Sequence, residues 1–335
     1  MKKYIIKRLL MLIPVLIGVS IIVFLILRVF APDAAPIVLG QHATTAAMAK
    51  WRKANGLTGP IYLQYWDYIK GVLHGDFGTS YYTKTPVINE IAARFPNTIE
   101  LAIVSIILSS ILGILIGAVA GVKKDTAFDN VSRVLALIGV SVPIFWLGIM
   151  MIILFSGILH WLPSNGQIYP LLAPPTITGF KLLDCILSGD MPGFVDELRH
   201  IIMPALALSL YSLAIITRMT RSNMIEALGQ DYIRTARAKG ISEYKVIKHH
   251  ALRNALNPVV TIIGLQFGGL LGGAVLTETV FSWPGIGYYT VQCVMNSDFP
   301  VVQAVVLLIA TIYVLVNLAV DLLYAFLDPR IKYAG

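Results

Sequence analysis

Side chains able to carry chemistry are sparse in this chain, and they do not assemble a reaction centre. Cys185 and Cys293 are the only cysteines, so no C-x-x-C pattern exists and no metal site is expected. A disulfide between them and two separate free thiols are both open readings. His249 and His250 are adjacent and point to different sides of a helix, a poor metal pair. Neither H-E-x-x-H nor G-x-S-x-G occurs. There is no Gly-Lys dipeptide, hence no G-x-x-x-x-G-K-[ST] phosphate loop to hold ATP. No catalytic residue and no cofactor are expected in this chain.

What remains is polar chemistry of contact. In DYIRTARAKG, residues 231–240, four charged side chains crowd into ten positions of an otherwise apolar chain. Asp231 is suited to cap a helix and Gly240 to end it, which predicts a short helix with Asp231 and Arg234 three apart. Ile233, Ala236 and Gly240 share a small, smooth face, and Arg234 and Arg237 share a basic ridge. Docking onto a protein and contact with anionic lipid headgroups both fit this pattern. Two isolated acids border apolar runs. Glu278 reads either as a functional carboxylate at the end of a span or as a residue of an aqueous loop. Asp321, four residues after Asn317 on one helical face, reads either as a proton-relay acid or as a structural hydrogen bond or ion pair. Paired acids within the spans, expected of many proton-coupled pumps, are nearly missing.

The elements that must position these residues are membrane helices. Of 335 residues, 57% are hydrophobic and 13% charged, where soluble domains carry about 25% charged residues. Six apolar runs are long enough to span a bilayer: 9–29, 99–122, 134–157, 200–218, 258–280 and 301–325. The fold class is therefore an all-α polytopic membrane protein with about six transmembrane helices. The first run resembles a signal sequence in its basic flank, but it exceeds the usual apolar core of one, and we read it as a retained helix over 1–31. With the N-terminus inside, 17 of the 26 Lys and Arg residues face the cytoplasm and three (Arg28, Lys181, Arg199) face outward. The remaining six lie in the long segment 32–98, which the positive-inside rule does not weigh. Both termini, including the tail 326–335, are thus expected in the cytoplasm, as is the loop 219–257 that holds the charged stretch. The net charge of +8 needs no nucleic acid to explain it.

Segment 32–98 reads as an extracytoplasmic cap, with an amphipathic helix in PIYLQYWDYIKGVLHG ending at Gly71 or Gly75. The second span opens at PNTIE, with Asn97 or Thr98 as a helix start. Gly113, Gly117 and Gly121 form one stripe at intervals of four, and Gly264, Gly268 and Gly272 another; both predict close helix packing within a bundle or between subunits. Pro143 in SVPIFW predicts a kink. After Glu278, the turn containing Phe281, Trp283 and Pro284 forms a candidate outer mouth.

The charged loop resembles the "EAA" loop of ABC importer permeases, whose general pattern is E-A-A, three residues, Gly, nine residues, I-x-L-P. Here Ala236, Gly240 and Leu252 match, and the Glu, first Ala, Ile and final Pro do not. The variant present, RTARAKG followed by HALRNAL and Pro258, is that of dipeptide and oligopeptide permeases. GDFGTS (75–80), PV (86–87), SVPIFW (141–146), RMTRSNM (218–224), LTETVFSWPGIG (276–287), FPVVQ (299–303) and NLAVDLLYAFLDPRI (317–331) extend the likeness over nearly the whole chain. The sequence is similar to the B-type permease subunits of dipeptide/oligopeptide ABC importers. Tyr288 and Ser297 stand where that family often has Arg, which bears on contacts with the binding protein. The resemblance implies a type I importer fold with a five-helix core over 99–325. It implies a second, C-type permease, two ATPase subunits that bind ATP and Mg, an extracytoplasmic binding protein, and surrounding membrane lipid as partners. It also implies that Tyr232, Ile233, Arg234, Ala236, Arg237, Gly240 and Leu252 couple the chain to an ATPase, with Ala236 and Gly240 allowing close approach. The family carries nickel, metallophores, glutathione and haem as well as peptides. A proton-driven transporter and a non-transport scaffold are the readings from other classes.

Overall fold

A computed structural model describes residues 2–327 of the chain. The tail beyond Leu327, with Arg330 and Lys332, lies outside the described residues, as does the side chain of Asp321. Among the described residues the fold is helical, with one isolated antiparallel bridge between Thr79 and Pro86. The principal helices are α1 (Lys2–Leu25), α2 (Thr45–Ala54), α3 (Ile61–Leu73), α4 (Val87–Val122), α5 (Ala127–Ser141) and α6 (Ile144–Met151). They continue as α7 (Lys181–Ser188), α8 (Met191–Leu228), α9 (Asp231–Ala238), α10 (Arg253–Val280), α11 (Ile286–Met295) and α12 (Phe299–Leu327). Among the described residues, five helical segments are long and apolar enough to cross a membrane, and α5 with the α6 segment makes a sixth if that bent pair is one span.

Three expectations are corrected. The third span is not one kinked helix: α5 and the segment from Ile144 to Ile158 meet at 103°. Pro143 lacks a backbone donor and holds Val142 in an extended conformation (φ −77°, ψ 126°), so the chain turns instead of flexing. The second helix does not start at PNTIE. It begins at Val87 and carries Pro96 within it, and the Asn97 side chain donates to the Pro284 carbonyl at 2.9 Å instead of capping. The fourth helix runs far past 200–218. At 38 residues and 1.5 Å per residue, α8 is about 57 Å long, nearly twice the hydrocarbon core of a bilayer. Its start is capped by Asp190, which accepts the Gly193 N–H at 3.1 Å.

The chain divides into two compact units, Met1–Thr98 with Trp283–Val314, and Ile99–Ser282 with Leu315–Gly335. In the first, Val87, Ile91, Ile286, Cys293, Val301 and Val305 form a core. The aromatic residues of segment 32–98 pack inside this unit: Trp51 meets Tyr81 edge-on at 4.9 Å, and Tyr65 meets Phe24 at 5.3 Å. The GDFGTS turn is pinned there too, since Asp298 accepts from the Ser80 hydroxyl and from the Tyr81 N–H.

In the second unit α8 is the centre and packs most extensively against α10 and α5. The first glycine stripe lies against it. A Cβ at Gly113 would fall 2.8 Å from Ile216 Cγ2, at Gly117 2.5 Å from the Thr217 carbonyl, and at Gly121 2.6 Å from Met224 Cβ. The second stripe divides: a Cβ at Gly264 would run into Val320, Gly268 is buried, and Gly272 has open space beside it. α5 is locked to α8 by Asp129, fully buried and gripped by both Arg221 Nε and, at 2.7 Å, Arg221 Nη2.

Candidate functional site

The charged stretch folds as the eight-residue α9. Its N-cap is Gln230, which makes no side-chain cap, and Asp231 sits instead in the first turn. There its charge still favours the helix N-terminus. Helix termination follows the expectation for Gly240, which is left-handed at φ +72°. The Gly240 N–H bonds the Arg237 carbonyl at 2.9 Å and the Ile241 N–H bonds the Ala236 carbonyl at 3.3 Å. These two bonds are the Schellman pair, which satisfies the last carbonyls and reverses the chain.

The two faces of α9 have different partners. Ile233 (0% exposed) and Ala236 (5%) point into the chain itself. They pack with Met224, Ala227, Val246, Ala251 and Ala255, with Ile241 and Leu252 half-buried beside them. The small face is thus the seat of the helix on the end of α8 and the start of α10, not the surface offered to another protein. Outward lie Tyr232, 41% exposed, and Arg234, paired loosely to Asp231 at 3.5 Å with both side chains in solvent. Arg237 makes a two-pronged ion pair with Glu243 at 3.0 and 2.6 Å. That pair ties the outer ridge to the chain that returns toward α10.

Among the candidate mouth residues, Glu278 and Phe281 lie in the second unit and Trp283 and Pro284 in the first. Glu278 is fully buried, so it is not a residue of an aqueous loop. Phe281 is buried with Met203 and Ala207. Trp283 is fully buried, and its indole donates to the Asn97 carbonyl at 3.0 Å. Pro284 is exposed, and its carbonyl accepts from the Asn97 side chain. Cys185 and Cys293 are free and buried. Burial, with carboxylates nearby, pushes the Cys185 thiol up to about 11, and burial pushes Cys293 up to about 12, so both stay protonated at neutral pH. No group of three or more metal-ligating side chains occurs among the described residues.

One cluster joins residues far apart in the chain. Glu100, Gln167 and Glu197 come from distant positions and meet in the second unit, where Gln167 bridges the two acids. Glu100 opens one apolar run and Glu197 precedes another, and nothing local to either names the other.

Residues 113–333 match the family described as "Binding-protein-dependent transport system inner membrane component", and residues 1–102 match its N-terminal companion family. The chain is 46% identical over 333 residues to the dipeptide transport system permease protein DppB of Alkalihalophilus pseudofirmus, covering 99% of this chain and 100% of that one. It is 44% identical over 339 residues to the dipeptide transport system permease protein DppB of Escherichia coli (strain K12), covering 99% of each. It is 41% identical over 333 residues to the glutathione transport system permease protein GsiC of Salmonella choleraesuis, covering 99% of this chain and 100% of that one.

Proposed function

The chain belongs to the binding-protein-dependent transport system inner membrane components, and from that premise we propose that it forms half of the pathway of an ATP-driven importer of dipeptides and short oligopeptides. It is a multi-pass membrane permease. The observation that carries the peptide assignment is end-to-end identity of 44–46% to dipeptide permeases. A second, C-type permease completes the pathway, two ATPase subunits bind ATP and Mg, and an extracytoplasmic protein delivers the substrate. The N-terminus and the α9 loop lie in the cytoplasm, a reading supported by the 17 basic residues that this orientation places there.

Coupling then works as follows. ATP draws the ATPase subunits together, and each pushes on a helix seated in its cleft. α9 suits this task because its apolar side is already buried in its own chain and its polar ridge faces away. A short helix fixed at its seat moves as a solid body and transmits force to the ends of α8 and α10. Ile233, Ala236 and Leu252 hold the seat, Gly240 sets the exit angle, and Tyr232, Arg234 and Arg237 meet the ATPase.

The test is uptake by proteoliposomes holding this chain with its neighbouring permease, ATPase and binding-protein gene products. Labelled dipeptide should enter only with ATP and binding protein, and unlabelled di- and tripeptides should compete. Competition by glutathione, nickel chelate or haem alone would replace the peptide assignment. The glutathione permease among the relatives makes glutathione the second reading.

A further inference from the structure

The carboxyl cluster at the far end of α8 from α9 is built for a ligand that none of its side chains supplies. Glu100 of α4, Glu197 of α8 and Gln167 of the segment between α6 and α7 are each at most 5% exposed. Gln167 Nε2 donates to Glu100 Oε2 at 3.1 Å and to Glu197 Oε1 at 2.9 Å, which uses both its hydrogens. Glu100 also accepts the N–H groups of Lys181 at 3.2 Å and Leu182 at 2.8 Å, the first two amides of α7. Those free amides and the helix dipole favour negative charge on Glu100. Glu197 Oε2 is buried and no donor reaches it, while its carboxyl lies against that of Glu100.

Two ionised carboxylates in this arrangement would oppose acceptor to acceptor and hold two like charges side by side away from water, and neither is stable. One O–H between them removes both conflicts. The surrounding charges do not provide another solution. Lys181 acts on Glu197, and Cys185 of α7 feels Glu100 and Glu197 together with Asp184 and Asp190. Lys181 is the one cation among them. Asp184, though buried, is held ionised by the Thr178 hydroxyl and three backbone N–H groups. Asp196 is taken by the Tyr169 N–H at 2.8 Å and by His200.

We infer that Glu100 and Glu197 form a proton-binding site, in which Glu197 carries one proton, donates it to Glu100, and so fastens segment 159–190 to α4 and α8. When the clasp opens, both carboxyls enter water and the proton is released at neutral pH. The closed form thus binds one more proton than the open form, and alkaline conditions favour opening. For one proton the opening equilibrium rises about tenfold per pH unit once release begins.

Cys185 reports the opening, because it lies on α7, whose first amides Glu100 holds, and is fully buried when the clasp is shut. In the purified, fully assembled transporter with Cys293→Ser, maleimide labelling of Cys185 is followed against pH with and without Glu197→Gln. The Gln side chain keeps the size of Glu and offers Glu100 a permanent N–H donor. The ratio of rates, wild type over Glu197→Gln, cancels ionisation of the thiol itself. It should be flat below the range of free carboxyls, about pH 4, rise about tenfold per pH unit above it, and level off where the closed clasp itself loses its proton. A ratio flat at every pH, or faster labelling of the Glu197→Gln protein throughout, overturns the inference. So does labelling that follows added sodium or magnesium instead of pH. Infrared spectra of the wild type give a check that needs no variant. A protonated-carboxyl band should persist through the rise in labelling and be lost where the ratio levels off, and its absence at neutral pH sinks the proposal.

Discussion

At the scale of single residues, glycines with the same spacing have opposite roles. Gly117 lies where any Cβ would meet the α8 backbone at 2.5 Å, whereas Gly272 has nothing within 4 Å. Gly117→Leu should therefore destroy the bundle, at a cost of about 3 kcal/mol or more from forced separation of two backbones. Gly272→Ala should leave the yield of monodisperse protein unchanged or raise it, since a helical glycine costs about 0.5–1 kcal/mol relative to alanine. Size-exclusion chromatography of the two variants checks both. Asp129→Asn leaves Arg221 facing a neutral partner in a buried site. Its unfolding midpoint should fall by an amount matching about 3 kcal/mol, measured by thermal unfolding in detergent. The stripe spacing of four was legible in the sequence because it names a helix face. The neighbour on that face was not, because it is set by which distant helix arrives.

At the scale of the element, α9 separates seat from surface, and three substitutions divide the two. Ile233→Asp buries a charge in the cluster of Met224 and Val246, and uptake should be lost with the loop protease-sensitive. Arg234→Glu changes only a solvent-facing side chain, so the fold should persist while ATPase binding weakens, read by pull-down of the ATPase subunits. Gly240→Ala strains a left-handed residue by about 1 kcal/mol and should reduce uptake partly. Gly240→Arg adds bulk at the same point and should abolish uptake without loss of membrane insertion. Normal uptake with Gly240→Arg would remove α9 from the coupling path. Much of this element could be read in advance: the short helix, its glycine stop and its basic ridge. The neighbour of its small face could not be read, because spacing shows that a face is smooth and does not show who covers it. The cap was misplaced for a related reason: Asp231 serves the N-terminus equally well from the first turn, by charge instead of hydrogen bond.

At the scale of the whole molecule, hydropathy located the spans because the bilayer demands an unbroken apolar length. It could not mark their true ends, since the helices run on through polar residues, Glu90 and Arg94 in α4 and Arg218, Arg221 and Glu226 in α8. Nor does local composition announce that residues 283–314 fold with residues 1–98. The orientation makes a direct prediction. In whole cells, a single cysteine at Ser242 should resist a membrane-impermeant maleimide, and one at Thr176, in the loop before α7, should react. The reverse pattern would invert the topology.

The break between α5 and α6 has a consequence for how the cell makes this protein. Each of the helix ends that meet at Val142–Pro143 leaves backbone groups without intrahelical partners, and hydrocarbon tolerates such groups only beneath protein or water. Around the break lie Ile138, Phe145 and Trp146, all exposed on this chain alone. An unaccompanied copy is thus unfinished at its own membrane depth. Its lifetime should be governed by the supply of whatever covers that corner, and surplus copies should be cleared by membrane proteases, so that the abundance of the transporter is matched to its scarcest subunit.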